Sequence, residues 1–512
     1  MELSKELTPA RSAGPQVVLS VAEHNSKLDA WRNEPTQSHA IDVVGSGLFS
    51  RDFHVPEEVV HQLIDLRETN TAVSNLLRAF LDGSLLTNGQ ALASKTIGDA
   101  RAQIKNYRKA TRNYPRNAFI WAELARAHIS VGASEQAERE ILTALMLAPE
   151  DRFITRSAVR FFVHVGDFGR AKHVLANHRL IKKDPWLVAP ELAVSQLMQR
   201  TSKLVGLAKK IVSSGNYSSF HVSELESALA SVELESGARK KSRKHFAKSL
   251  VDPTENSVAQ AIWGRSEGLD LDFDLRLLDL PGAYEAKTLE YAEEIKWDKA
   301  LEQCELWQND EVFSSRPAEI GSYIAAVALG DPLISEKFSR RGLSSNPRSI
   351  TLKNNLTVCL CQQGRLNEAL DVFQSINFKD LKSQDRNSLL ATTGLINFRL
   401  GNLAAGRENY ELAIRQLRAR NDKRGVALAI VHLAQEEKHC GSGLGEKILE
   451  GADKQIRASD EPEILAMHNR LVNANLGEFS TDSTDSTDPT DPVTVELRDH
   501  NSILLPPSET PE

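Results

Sequence analysis

Two short motifs have the letters of well-known chemistry, and their surroundings decide whether that chemistry is available. Asp167-Phe168-Gly169 spells the magnesium turn of a kinase. No Gly-rich strand, nucleotide-lysine context or catalytic loop accompanies it, so it reads as a turn between helices. Gly441-Ser442-Gly443-Leu444-Gly445-Glu446-Lys447 has the outline of a phosphate-cradling loop. Such a loop needs a strand before it and a helix N-terminus facing the phosphate. Residues 426–439 read as a helix, so this too is expected to be a turn. His164, His173 and His178 are close in sequence, as are Cys359 and Cys361. Zinc needs three or four converging ligands. His173 and His178 are five apart and do not share one helical face. Neighbouring Cys two apart point different ways. No Ser–His–Asp or paired-carboxylate arrangement stands out, so the expectation is no enzyme activity, no cofactor and no metal site.

Residues 118–149 show which elements hold these residues. Apolar side chains recur every three or four positions through Trp121, Leu124, Ala125 and His128, stop at Gly132, and resume through Ala137, Ile141 and Ala144 to Pro149. This pattern predicts two amphipathic helices joined by a tight turn. It resembles the tetratricopeptide repeat, a helix–turn–helix unit of roughly 34 residues. That family has a large residue and a Leu–small pair in its first helix, with an aromatic one turn later. Gly marks its turn, Ala–aromatic–Ala its second helix, and Pro its end. Here His128 and Ile141 replace the two aromatics. The next frame keeps Phe162, Gly166, Ala171 and Leu175. Asn354-Asn355-Leu356 with Gly364, Ala369 and Phe373, and then Gly394, Gly401, Tyr410 and Ala413, mark two more clear units. The clearest units are therefore 118–149, 152–185, 350–381 and 387–420.

The resemblance implies an all-α fold: a tetratricopeptide-like α-solenoid, a right-handed superhelix of helix–turn–helix repeats, with flexible termini. The expected organisation is a flexible N-terminal arm at 1–53, extended or partly disordered with one segment able to dock on the solenoid, a helical cap at 54–100, the solenoid at 101–478 and a disordered acidic tail at 479–512. The tail contains the run Ser480-Thr481-Asp482-Ser483-Thr484-Asp485, which cannot build a core. Ser502-Ile503-Leu504-Leu505 is expected to be a loose tail end. Residues 268–282 alternate apolar and acidic, but a lone strand among helices has no partner, so an irregular connection is expected. Pro190 is expected near a helix start. Trp121 is expected to pack the first unit, with Trp121→Ala costing about 3–5 kcal/mol if the ring is buried.

In solenoids of this kind the first helix of each unit lines the concave face. The resemblance places Phe119, Arg126, Phe153, Arg156 and Arg160 there. Guanidinium forks between aromatic rings suit an acidic or C-terminal peptide segment. The competing reading is that these arginines pair with nearby acids such as Glu123 or Asp151. The same positions later in the chain, including Ile320, Ile324, Val327, Val358 and Leu395, predict an apolar groove. That groove would hold a partner helix or the protein's own arm.

The function implied is a protein–protein interaction scaffold, adaptor or regulator. In bacteria such scaffolds accompany effector enzymes or assemblies, and a bacterial chain of that kind is part of the expectation. The net charge of −7 and pI near 6.1 give no overall basic balance for nucleic acid. Ten Lys/Arg against four acids at 200–248, including Arg239-Lys240-Lys241-Ser242-Arg243-Lys244, face fourteen acids against four Lys/Arg at 267–311. The basic run makes a nucleic-acid-binding regulator the alternative, and the opposite blocks could pair between chains. Four scattered Cys suit a reducing compartment. No secretory signal and no apolar run of membrane length is seen, so a cytoplasmic location is expected.

Overall fold

The computed structural model describes residues 15–36, 39, 40, 43, 55–64, 97–377 and 383–473. Expectations for 1–14, most of 44–96 and the tail from 474 onward lie outside these residues. The described chain is all-α. It divides into unit 1, residues 1–290 with 303–314, and unit 2, residues 291–302 with 315–512. Each is taken by itself below. No described helix is long and apolar enough to cross a membrane.

Unit 1 contains α1 (Pro15–Asn33), α2 (Glu57–Ile64) and α3 (Ile97–Asn113). Helix pairs follow: α4 (Ala118–Ile129) with α5 (Ser134–Leu147), then α6 (Arg152–His164) with α7 (Phe168–Asn177). Next come α8 (Pro185–Leu197) with α9 (Val205–Ser213), α10 (Ser219–Glu235) with α11 (Arg239–Ser249), and α12 (Glu255–Ser266). α13 (Tyr284–Glu293) and α14 (Trp297–Asp310) complete it in part. Each pair packs on itself, and the first helices α4, α6, α8, α10 and α12 pack in succession. This is the tetratricopeptide-like arrangement of antiparallel helix pairs.

Local chemistry sets the pair boundaries. Asn117 Oδ1 accepts from Ile120 N, and Asp151 Oδ1 accepts from Phe153 N and Ile154 N, so each carboxamide or carboxylate starts a helix. Asp167 of the kinase-like motif does the same for α7, accepting from Arg170 N at 2.8 Å. α4 ends at Gly132, whose φ of +75° is open mainly to glycine. Ala133 N then reaches back to His128 O and Gly132 N to Ile129 O, the closing bonds of a Schellman turn. Between helices, Ala137, Ala144, Ala158 and Ala171 are fully buried, because only small side chains fit at the crossings.

His128 holds the place of the first aromatic for a polar reason. Its Nε2 lies 3.0 Å from Arg108 Nη2 and its Nδ1 lies 2.6 Å from Glu140 Oε2. Arginine can only donate, so Nε2 accepts and Nδ1 carries the proton toward Glu140. One imidazole thus joins α3, α4 and α5. Burial lowers the His128 pKa and pushes Glu140 up to about 7.

Three expectations are revised. Within the segment read as an arm, α1 is helical, and Lys27 Nζ reaches Asp151 Oδ2 at 2.8 Å. Pro190 lies inside α8, not at its start; Pro185 occupies the first turn. Trp121 is half-buried, with Nε1 donating to Pro115 O at 2.8 Å. Residues 268–282 are an irregular connection carrying one 3-10 turn, Leu275–Asp279.

Unit 2 contains α15 (Arg316–Tyr323), which continues as a π-helical turn (Ile324–Leu329), then α16 (Pro332–Ser345). α17 (Ile350–Gln362) pairs with α18 (Leu366–Gln374), α19 (Ser383–Arg399) with α20 (Leu403–Ala419), and α21 (Lys423–His439) with α22 (Gly445–Arg457); α23 (Pro462–Asn473) is last. α19 and α20 approach closely. A Cβ on Gly394 would stand 2.7 Å from Tyr410 Cδ2, and one on Gly406 2.6 Å from Phe398 Cδ2. The glycines are there to admit the two rings.

Glu336 on α16 accepts from Arg340 Nε at 2.6 Å, Gln363 Nε2 at 2.9 Å and Arg365 Nη1 at 2.7 Å. Burial alone would raise its pKa; these donors outweigh it and hold the carboxyl at about 2, against an ordinary 4.5. A depressed carboxylate stabilises fully above its unfolded pKa and stops doing so as pH falls through its folded one. Glu336→Gln should therefore cost unit 2 about 1–3 kcal/mol at neutral pH. The gap from the native protein should narrow between pH 4.5 and 2 in denaturant titrations; a gap independent of pH would refute the network. Trp121→Ala should cost about 1–3 kcal/mol, as fits a half-buried ring, and a loss at the upper end of the fully buried range would place the ring in the core.

Candidate functional site

The inward residues of α4, α6 and α12 surround a cavity of about 220 Å³ within unit 1. α4 contributes Ala122, Glu123, Arg126 and Ile129, and α6 contributes Phe153, Ser157, Arg160, Phe161 and His164. α12 adds Glu255, Asn256 and Ala259, and Glu285 stands beside it. Trp307, Asp310, Glu311 and Phe313, from the end of α14 and the residues after it, close the remaining side.

Of the residues expected on the inward face, Arg126, Phe153 and Arg160 line this cavity, and Phe119 lies beside it. Phe119 stacks on Phe153 with centroids 5.3 Å apart. Arg126 donates from Nη2 to Asp310 O at 2.5 Å, with Glu123 Oε2 3.9 Å from Nη1. The predicted partner Glu123 is thus present but distant. Burial works against the Arg126 charge, and Glu123 and Asp310 more than restore it, so its pKa is raised. Arg160 is exposed and lines the pocket without a direct hydrogen bond or ion pair among the described residues.

Arg156 goes elsewhere. Nη2 meets Glu224 Oε2 at 2.7 Å, Nη1 donates to Trp186 O at 3.3 Å, and the guanidinium sits 5.1 Å from the Trp186 ring centroid. The reason lies in Pro190. It has no N–H to give the carbonyl four residues back, so Trp186 O is left free inside α8. Arg156 supplies the missing donor. It therefore joins α6, α8 and α10. Asp151, the other suggested partner, is occupied by Lys27 and by the start of α6.

The pocket lining carries five carboxylates (Glu123, Glu255, Glu285, Asp310, Glu311) against two guanidinium groups (Arg126, Arg160). Desolvation raises the pKa of Asp310 against the pull of Arg126, with Glu311 adding to the rise. Desolvation and Glu224 likewise raise Glu255. Both side chains nonetheless remain solvent-exposed, so water still reaches the carboxylates of the pocket. Sequence reasoning missed the residues from α12 and α14, because 130 to 190 positions separate them from α4 and no local period connects them. The acid-rich block at 267–311 was the available signal.

No group of three or more His, Cys, Asp or Glu placed to hold a metal ion occurs among the described residues. Cys304, Cys359 and Cys361 are buried, and burial pushes each thiol up to about 12, which keeps them protonated. On the basic run, Arg239 donates to the carbonyls of Glu267 and Gly268, and Arg243 lies 3.7 Å from Asp270. The opposite charge blocks meet within one chain.

Fold and cavity together define a tetratricopeptide-like helical-repeat protein with a small charged pocket on its inward helices. No protein-family model matches the sequence, and no curated protein matches it. Among solved structures, yeast Tom70 is similar at a TM-score of 0.31 and 13% identity, covering 72% of this chain and 91% of its own. The APC/C hetero-tetramer Cut9-Hcn1 is similar at 0.38 and 11%, covering 89% and 94%. Likeness at this level says nothing of role, and the fold is read from the chain's own helices.

The placement of Arg156 gives a stability test. Arg156→Ala leaves Trp186 O without its donor and Glu224 with only Asn256 at Oε1, and should cost about 1–3 kcal/mol in chemical denaturation. An unchanged midpoint would mean that solvent serves both groups.

Proposed function

We propose that this chain is a non-enzymatic interaction scaffold whose unit 1 pocket holds one side chain of a partner protein's segment. The supporting observation is the cavity itself. At about 220 Å³ it falls below the roughly 300–1,000 Å³ of sites that enclose a whole small molecule. It suits a single long side chain between aromatic walls.

The charge balance favours a basic side chain over the acidic one that the arginines alone suggest. Glu255 and Asp310 both line the cavity, and Arg126 is already engaged by Asp310 O. Phe119, Phe153 and Arg160 then flank the entering segment, with Arg160, whose charge already acts on Glu255 and Asp310, placed to meet its carbonyls or a neighbouring acid. Arg156 acts as a brace behind the site. Four scattered cysteines, none of them disulfide-bonded, fit a reducing, cytoplasm-like setting. The nucleic-acid reading loses support, since Arg239 and Arg243 are engaged by residues 267–270.

Fluorescence anisotropy with labelled peptides differing only in a central Arg, Lys, Glu or Asp tests this. The Arg and Lys peptides should bind more tightly, and Asp310→Asn should weaken them about fivefold, as loss of about 1 kcal/mol would. Affinity should also fall as pH drops through the raised carboxyl range of Asp310 and Glu255. Acidic peptides binding as well as basic ones would overturn the reading.

A further inference from the structure

In unit 2 the last described helix packs over one end of the apolar face, at the π-helical turn. α23 packs against the π-helical turn Ile324–Leu329, and also on α21 and α22. Ile464, Met467 and Leu471 are buried in the same apolar cluster as Val327, Val426 and Ile430.

The polar end of this seat is unusually specific. Arg470 Nη2 donates to Val327 O at 2.6 Å and Nη1 donates to Ala328 O. These carbonyls belong to the last turn of a helix and have no partner of their own. The negative end of the helix dipole adds to the attraction. Gly330 follows with φ +71°, and a Cβ there would stand 2.9 Å from Arg470 Nε. The helix end is therefore shaped to receive a guanidinium from outside. Lys438 Nζ donates to Leu471 O at 2.7 Å, and Arg424 lies 3.2 Å from Glu461.

The docking also carries costs. Burial lowers the pKa of Arg470, so its charge is held at a penalty. His468 is 2% exposed, and its Nδ1 lacks a hydrogen-bond partner among the described residues. Twelve residues are too few for a helix that is stable alone. The link from α22 is four residues, 458–461, with Asp460 at φ +57°. A short helix seated through Ile464, Met467 and Leu471, with a buried cation and one imidazole nitrogen unpaired, is suited to exchange.

We propose that α23 is a built-in, displaceable occupant of the unit 2 groove. Its release opens that groove to an amphipathic helix of another protein that presents an arginine to the carbonyls of Val327 and Ala328. This is independent of the unit 1 pocket. Release follows from any competitor that binds the open groove better than α23 does, so α23 sets the threshold a partner must exceed.

The test uses the full chain, native and Arg470→Ala, with a labelled synthetic peptide of residues 461–474 as probe. In the variant, amide exchange across 462–473 should accelerate at least tenfold while α17 to α22 stay protected. The variant should bind the peptide at least tenfold more tightly than the native chain does. A peptide carrying the same Arg470→Ala change should not bind. If α23 stays protected, or if all of unit 2 loses protection with it, the helix is ordinary core and the proposal fails. It fails equally if α23 is released and the peptide is not taken up. A dimer by light scattering without peptide binding would assign the seat to a second copy's α23 instead.

Discussion

Everything in this protein rests on helices approaching closely enough to exclude water without a sheet to organise them. That approach is set by the smallest side chains. Ala137, Ala144, Ala158 and Ala171 in unit 1 let paired helices touch, and in unit 2 Gly394 and Gly406 make way for Tyr410 and Phe398. Larger side chains at these positions would push the helices apart and forfeit the dispersion contacts of every neighbour. Because the helix pairs pack in succession, such a defect would be felt first by the adjoining pair.

This dependence explains what could be read from the chain. Alanine and glycine spacing, caps such as Asn117 and Asp151, and the left-handed Gly132 all act within one pair, so their signals lie within a few residues. The helix pairs and the inward position of Arg126, Phe153 and Arg160 were legible for that reason. Arg156 was not, since its partners are Glu224 and a carbonyl freed by Pro190. Only the small offsets summed over successive pairs bring those groups together. The same holds for Asp310 against Arg126, 184 positions apart, and for Arg470 against Val327, 143 apart.

Charge placement follows a common logic in both units. Guanidinium groups are used where a backbone carbonyl has lost or never had a partner: Arg156 at Trp186 O, Arg126 at Asp310 O and Arg470 at Val327 O and Ala328 O. A planar group with five donors can serve a carbonyl and still meet a carboxylate or an aromatic face. Lysine could replace the charge at these places but not the geometry. Arginines that looked like ligand contacts in the sequence are thus divided between bracing the fold and facing the cavity.

Asp151 uses its two oxygens on different scales. Oδ1 starts α6 through amides two and three residues away, whereas Oδ2 holds Lys27 from 124 residues away. Local bonds form early in folding and distant ones late, because the intervening chain must first be ordered. The landing place for α1 is therefore built by the nucleation of α6, before α1 itself can arrive. On a ribosome the N-terminal helix would emerge first yet settle only after the second repeat had formed.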